Sequence, residues 1–188
     1  YEDSFLEGPQ FHPFLPDFHT ICMHESPAGF TWGNTATSMV VEINPADPHV
    51  PSCWVCYLPP CTSIYMAFPF SPSLPETITR AGTAGLGVRP AADAPADEFS
   101  PLSLWWRFHR IVEAVRKEPL RRHKEVRALL DPLEQRYIKE AIEILQGPLD
   151  SRNEKLKALV QDKVSQVTAA LEVLEDRWNL PKESITEE

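Results

Sequence analysis

Three cysteines lie close together at Cys53, Cys56 and Cys61, and a fourth, Cys22, sits among His12, His19 and His24. Thiol and imidazole groups at such spacings can ligate zinc, exchange disulfides or form a nucleophile–base pair. Cys53-Trp-Val-Cys56 has the two-residue gap of a metal knuckle or a redox motif. The residues around it are β-branched and aromatic, which puts them in a strand, where positions three apart point to opposite faces. Trp54-Val55 also makes a poor tight turn, and no helix pattern follows the motif as a thioredoxin-like site requires. Packed structural cysteines are therefore expected here, with no metal and no cofactor. Alternation puts Cys22 and His24 on one face of a short strand, as a metal or catalytic pair or as a hydrogen-bonded histidine at a sheet edge. Asn34, Thr35, Thr37 and Ser38 are polar and precede an apolar run. They either line a pocket or satisfy turn backbone. Trp105-Trp106 reads as packing between helix and sheet. The chain has no nucleophile elbow, phosphate loop, H-E-x-x-H or dinucleotide-binding glycine pattern.

The elements that must position these groups divide the chain in two. Residues 1–100 carry 11 acidic and 2 basic side chains and 14 of the 19 prolines, whereas 101–188 is charge-balanced, so the net charge of −9 resides in the first part. The expected organisation is an antiparallel sheet with proline-rich loops over 1–100, and a helical layer of the same domain over 101–188. Strands are predicted at 20–24, 38–44, 52–58 and 62–68. The short separators Asn44–Pro48 and Pro59–Cys61 favour antiparallel neighbours. Residues 1–19 form a proline-broken lead-in whose Phe5, Phe11, Phe14 and Phe18 pack on a neighbouring surface, and 71–100 is a long irregular connection.

Helices are predicted to begin near 101, 119, 132 and 150. Ser100 caps the first, with Pro101 at its first position. Leu104, Phe108, Ile111 and Val115 form a stripe facing the sheet. Asp131-Pro132 interrupts the second, with Asp131 as a cap and Glu134 as its capping-box partner. Gly147-Pro148 stops the helix that follows, and the last one buries Leu156, Val160, Val164, Val167, Leu171, Leu174 and Trp178. An acidic chain without a basic face argues against nucleic acid, and no segment reaches the length of a membrane span. Four cysteines fit a reducing, cytoplasmic setting.

Thr20-Ile-Cys-Met-His-Glu25, then Gly29-Phe30 and Thr35-Ala-Thr-Ser-Met-Val-Val41, resemble the C-terminal half of the secernin/dipeptidase family of cysteine peptidases. Trp54-Val55, Pro60-Cys-Thr-Ser-Ile64 and Ser103-Leu-Trp-Trp-Arg-Phe-His109 fit the same pattern in the same order, over roughly residues 18–145. The resemblance implies an α+β chain, one part of the αββα sandwich of N-terminal nucleophile hydrolases, with one antiparallel sheet covered by C-terminal helices. In that family a cysteine at the start of the mature chain attacks a peptide or amide carbonyl, with its own α-amino group as base. This chain begins Tyr1-Glu2-Asp3, so the nucleophile is expected upstream of Tyr1, and none of the four cysteines inherits its role.

The reading implied is the C-terminal portion of a cysteine dipeptidase or amidohydrolase, inactive alone. His24, Asn34 and Ser38 then line the pocket for a dipeptide or small amide. Its partner is the N-terminal half of the same protein, stacked on an apolar sheet face that these 188 residues leave open, and a homo-oligomer is also compatible. The alternatives are a non-catalytic secernin-like interaction protein and an acylase or acyltransferase on the same fold. If the cysteines are packed strand residues, metal analysis of the purified chain finds no stoichiometric zinc, and a chelator leaves Tm unchanged. One tight zinc whose removal melts the fold is the opposite result.

Overall fold

The computed structural model describes Cys22 and residues 35–42, 52–68, 101 and 103–181. They form an α+β arrangement of a three-stranded antiparallel sheet and three helices. The strands are β1 (Thr37–Glu42), β2 (Ser52–Tyr57) and β3 (Tyr65–Phe68), in the order β1-β2-β3. A 3₁₀ turn, Pro60–Thr62, separates β2 from β3, so the strand expected over 62–68 is confined to its second half. Leu58, at φ 62°, turns the chain out of β2 while its side chain stays buried. Of the strand predicted at 20–24 only Cys22 is described, and it has no strand pairing; the lead-in aromatics lie outside the described residues.

Register fixes which side chains share a face. Ser38, Cys56 and Tyr65 form one cross-strand row, and Val40, Trp54 and Ala67 form the next on the same face. Met39, Val55 and Met66 lie on the other. Cys53 pairs with Val41 and Phe68, so it faces away from Cys56. Burial is graded along the strand order rather than divided by face. Met66 and Ala67 of β3 are both buried although they point to opposite faces, whereas Met39, Val40 and Val41 of β1 are 61%, 52% and 44% exposed. The expected apolar face open across the whole sheet is therefore corrected to a strand exposed on both of its faces.

The helices are α1 (Leu104–Lys117), α2 (Pro119–Leu145) and α3 (Leu149–Arg177). Ser103, not Ser100, caps α1, its hydroxyl accepting from the Trp106 N–H three residues on (3.4 Å). Glu118 serves as the end of α1 and the start of α2. Its N–H donates to the Val115 carbonyl, and its own carbonyl accepts from the Arg122 N–H. Pro119 follows where its missing N–H has no helical partner to lose. The stripe of Leu104, Phe108, Ile111 and Val115 is buried as expected. The closest backbone neighbours of α1 are α2, α3 and the 3₁₀ turn, so the stripe seals a helical core, whereas α2 and α3 approach β3.

No helix starts at 132, because α2 continues unbroken through Pro132. Proline there removes the bond to the Ala128 carbonyl and costs about 3 kcal/mol. The apolar stripe stays in phase across it, with Val126 and Leu130 buried before it and Tyr137 and Ala141 after it. Tertiary burial on both sides outweighs the local break. Gly147-Pro148 does end α2 and lets α3 fold back along it. Trp178 at the far end of α3 consequently donates its indole N–H to Glu125 near the start of α2 (2.8 Å). The end of α3 is closed by Asn179 at φ 52°, with the Leu180 N–H donating to the Glu175 carbonyl and the Asn179 N–H to that of Asp176. This pairing satisfies carbonyls that the helix would leave bare.

One ion pair is sealed inside the helical layer. Arg107 of α1 donates to Glu175 of α3 through Nε (3.2 Å) and a terminal nitrogen (2.7 Å), with the two side chains only 9% and 5% exposed. Removing one partner strands a charge in the core, so Arg107→Met should lower stability by about 3–5 kcal/mol. Combining it with Glu175→Leu should recover most of that loss in urea unfolding followed by circular dichroism. Simple addition of the two single losses would show that the charges act independently.

Candidate functional site

The sheet ends nearest the 3₁₀ turn gather a cluster of hydroxyl and thiol side chains. Strand alternation aims Ser38, Cys56 and Tyr65 to one face in a single row, and the 3₁₀ turn adds Cys61, Thr62 and Ser63 beside them. Ser38 Oγ and the Tyr65 hydroxyl are 2.7 Å apart. One proton serves that bond, so the pair retains a second hydroxyl proton for another acceptor. Burial pushes the Tyr65 hydroxyl above its ordinary range, and it stays protonated at neutral pH.

The thiols are packed into the same corner. The backbone N–H of Cys61 donates to Cys22 Sγ (3.3 Å), which brings Cys22 to the 3₁₀ turn. Burial pushes the Cys56 thiol up to about 12, against a smaller downward pull from the Ser63 hydroxyl. The Cys61 thiol is raised further, first by its hydrogen bond with Cys22 and then by burial. Burial also raises Cys53, which lies on the other face. A thiolate is the reactive form of cysteine, so the buried Cys56 and Cys61 are inert at neutral pH. Among the described residues, no three His, Cys, Asp or Glu side chains converge on a metal-sized site.

Arg127 of α2 closes the corner. Its terminal nitrogens donate to the Ser63 carbonyl (2.7 Å), the Pro60 carbonyl (3.3 Å) and Glu134 Oε2 (2.8 Å), and its Nε to Asp131 (2.6 Å). Glu134 Oε1 in turn accepts from the Tyr65 backbone N–H (2.8 Å). Burial opposes the guanidinium charge, but the carboxylates of Glu134 and Asp131 outweigh it and raise the Arg127 pKa. Asp131 and Glu134, expected as a cap and its partner, are instead the anionic side of this clamp. His123, one helical turn before Arg127, is held below its ordinary range by burial and then by the Arg127 charge, partly offset by a bond to the Cys61 backbone. It is neutral at pH 7.

Of the residues picked from sequence, Ser38 joins this cluster, and His24 and Asn34 lie outside the described residues. His12 and His19 also lie outside them. Arg127, Glu134 and His123 escaped sequence reasoning. The one available signal was three charged groups at Arg127, Asp131 and Glu134 on a single helical face, which becomes visible only when α2 is allowed to run through Pro132. Trp105 of α1 flanks the approach to β1. The Trp105 indole N–H donates to the Ala36 carbonyl (3.2 Å), and its ring stacks on His109 at 5.3 Å.

The fold and the cluster define the class at a coarse level, an α+β chain with a hydroxyl pair beside buried protonated thiols. Compared with protein-family models, curated proteins and solved structures, the chain matches none.

The thiols dictate an alkaline limit to stability. A thiol whose folded pKa lies above its ordinary 9.0 favours the folded state while protonated. Cys56 therefore contributes fully below pH 9, and its contribution is lost as pH rises from there through about 12. The same sign holds for Tyr57, which burial pushes up to about 12. Urea midpoints should be level between pH 7 and 8.5 on account of these groups, within about 0.5 kcal/mol, and fall steeply above pH 9. Ellman's reagent at pH 8 should find Cys56 and Cys61 unreactive until the chain unfolds. Rapid labelling of either in the folded protein would contradict their protonated, enclosed state.

Proposed function

We propose that this chain is the C-terminal portion of a cysteine dipeptidase or related amidohydrolase of the N-terminal nucleophile type. Its three-stranded sheet then belongs to one half of an αββα sandwich. The nucleophilic cysteine and its amine base come from sequence upstream of Tyr1, and the N-terminal half of the same protein is the main partner. Residues 18–145 support the reading through the order of their motifs. The observation that carries it is the Ser38–Tyr65 hydroxyl pair beside thiols that cannot ionise near neutral pH. Such a corner offers hydrogen-bond donors without a nucleophile, as expected of a pocket wall whose attacking group lies elsewhere.

In this scheme one proton of the hydroxyl pair is offered to the oxygen that becomes negative as the amide carbonyl is attacked. The substrate is a dipeptide or small amide, and the same reading assigns its orientation to His24 and Asn34, which lie outside the described residues. The hydroxyl pair acts as a donor because Tyr65 remains protonated, and its value rises as charge develops on the substrate oxygen. The setting is a cytoplasmic one, where the four thiols stay reduced. No helix among the described residues is long and apolar enough to cross a membrane.

A second reading is a secernin-like interaction protein without catalysis, and the inert thiols favour it equally. Hydrolysis of a dipeptide panel by the complete gene product separates the two. Under the peptidase reading the complete protein turns over dipeptides, alkylation of its terminal cysteine abolishes activity, and the 188-residue chain alone is inactive. Tyr65→Phe in the complete protein should lower kcat by about 10-fold or more with little change in KM, as expected for a donor used mainly in the transition state. An inactive complete protein favours the interaction reading. Turnover by the chain alone, lost on mutating one internal cysteine, overturns both.

A further inference from the structure

Two of the four cysteines meet in the fold although they are 39 positions apart. The Cys61 N–H donates to Cys22 Sγ (3.3 Å), and the Cys61 thiol makes a second hydrogen bond with Cys22. That second bond raises Cys61, so Cys61 keeps the shared proton and the Cys22 sulfur accepts it. Two donors from one residue thus point at one sulfur, and donors aimed at a sulfur favour its thiolate form. Exposure is divided in the same sense. Cys22 is half-buried, whereas Cys61 is only 4% exposed.

The other two thiols are placed differently. Cys53 faces away from Cys56 across β2. Cys56 Sγ is directed at the carbonyls of Tyr57 (3.8 Å) and Leu58 (3.9 Å), at the end of its own strand. The turn that carries Cys61 is held from both sides. Arg127 donates to the Pro60 and Ser63 carbonyls, and the Thr62 N–H and hydroxyl both donate to the Pro59 carbonyl (3.0 and 3.1 Å). Cys61 is therefore fixed beside Cys22 before any reaction begins.

We propose that Cys22 and Cys61 are a redox pair, in which a hydroperoxide oxidises Cys22 and Cys61 resolves it to an intrachain disulfide. In the first step the Cys22 thiolate attacks the terminal peroxide oxygen. The O–O bond breaks, Cys22 becomes a sulfenic acid, and the departing oxygen takes a proton from solvent. In the second step the Cys61 sulfur attacks the Cys22 sulfur. The S–S bond forms as the S–O bond breaks, and the Cys61 proton leaves with the hydroxyl as water. The two thiols lose two electrons and the hydroperoxide gains them. Cys61 is closed to outside reagents, but its route to Cys22 is internal. Oxidation of Cys22 weakens two of the causes that raise Cys61, its bond to Cys22 and the repulsion from the Cys22 charge, while the Arg127 charge remains. Contact supplies the rest, since groups held together react at effective molarities of about 10⁵ M or more. A dithiol reductant reverses the disulfide. The pair is independent of the peptidase reading, since neither cysteine belongs to the Ser38–Tyr65 hydroxyl pair.

Peptide mapping by mass spectrometry reads the pair directly. The probe is hydrogen peroxide at a few-fold molar excess over the folded chain at pH 7, followed by acid quenching and alkylation of the remaining thiols. The map should show Cys22 joined to Cys61, with Cys53 and Cys56 alkylated, and dithiothreitol should release the link. The link should form about 10-fold or more faster in the folded chain than in urea, because the fold supplies the contact. Cys61→Ser should leave Cys22 as a sulfenic acid that dimedone labels, with about 10-fold more adduct than wild type. Should that variant fail to fold, the wild-type map and its urea control decide the matter. Four free thiols after peroxide, a disulfide that uses Cys53 or Cys56, or a link that forms equally fast in urea overturns the proposal.

Discussion

The junction of sheet and helices depends on Arg127. A guanidinium carries five donors in a rigid fork, and four of its contacts here reach the 3₁₀ turn and two carboxylates of its own helix. The turn is thereby fixed to α2 at two of its carbonyls, those of Pro60 and Ser63. Glu134 extends the link to the backbone of β3. A lysine could not make these contacts together, because its single ammonium has no fork to reach a turn on one side and a carboxylate on the other. With the clamp in place, β3 can lie along α2, and Trp54 meets the Tyr137 ring edge-on at 6.4 Å.

The same clamp sets the electrostatics of the thiol corner. The Arg127 charge favours ionisation of Cys56 and Cys61, yet burial and the Cys22–Cys61 bond dominate, and both thiols remain protonated. Glu134 adds to the rise at Cys56 and at Tyr65, so a carboxylate that anchors the strand also helps hold the hydroxyl pair in its donor form. Structural anchoring and the character of the candidate site are therefore one arrangement. Arg107 and Glu175 perform a separate task, since they hold α1 to α3 within the helical layer.

The long helical hairpin gives this small sheet its stability and its asymmetry. Three short strands alone are marginal in water, and β3 gains its cover from α2 and α3. Burial fades toward β1, which is where the chain still has polar backbone and apolar side chains to place. At the far end, Glu125 collects the Trp178 indole, Arg121 and Arg177, which fastens the close of α3 to the opening of α2.

Several features were legible in the residues alone. The periodic stripes of α1 and α3, the helix stop at Gly147-Pro148, the helix junction at Glu118-Pro119 and the order of three strands all follow from local pattern, since periodicity and proline act over a few residues. Cys53 and Cys56 on opposite faces follow from strand alternation in the same way. The continuity of α2 did not, because Asp131-Pro132 is a strong local stop that yields only to packing of Val126, Leu130, Tyr137 and Ala141. The cap at Ser103, the clamp of Arg127 on the 3₁₀ turn and the meeting of Cys22 with Cys61 likewise depended on tertiary contact. Each joins groups whose preference changes once a distant element removes water from them. Local sequence determined where most elements form, and only the folded arrangement decided how far α2 and β3 extend and which polar groups would be buried together.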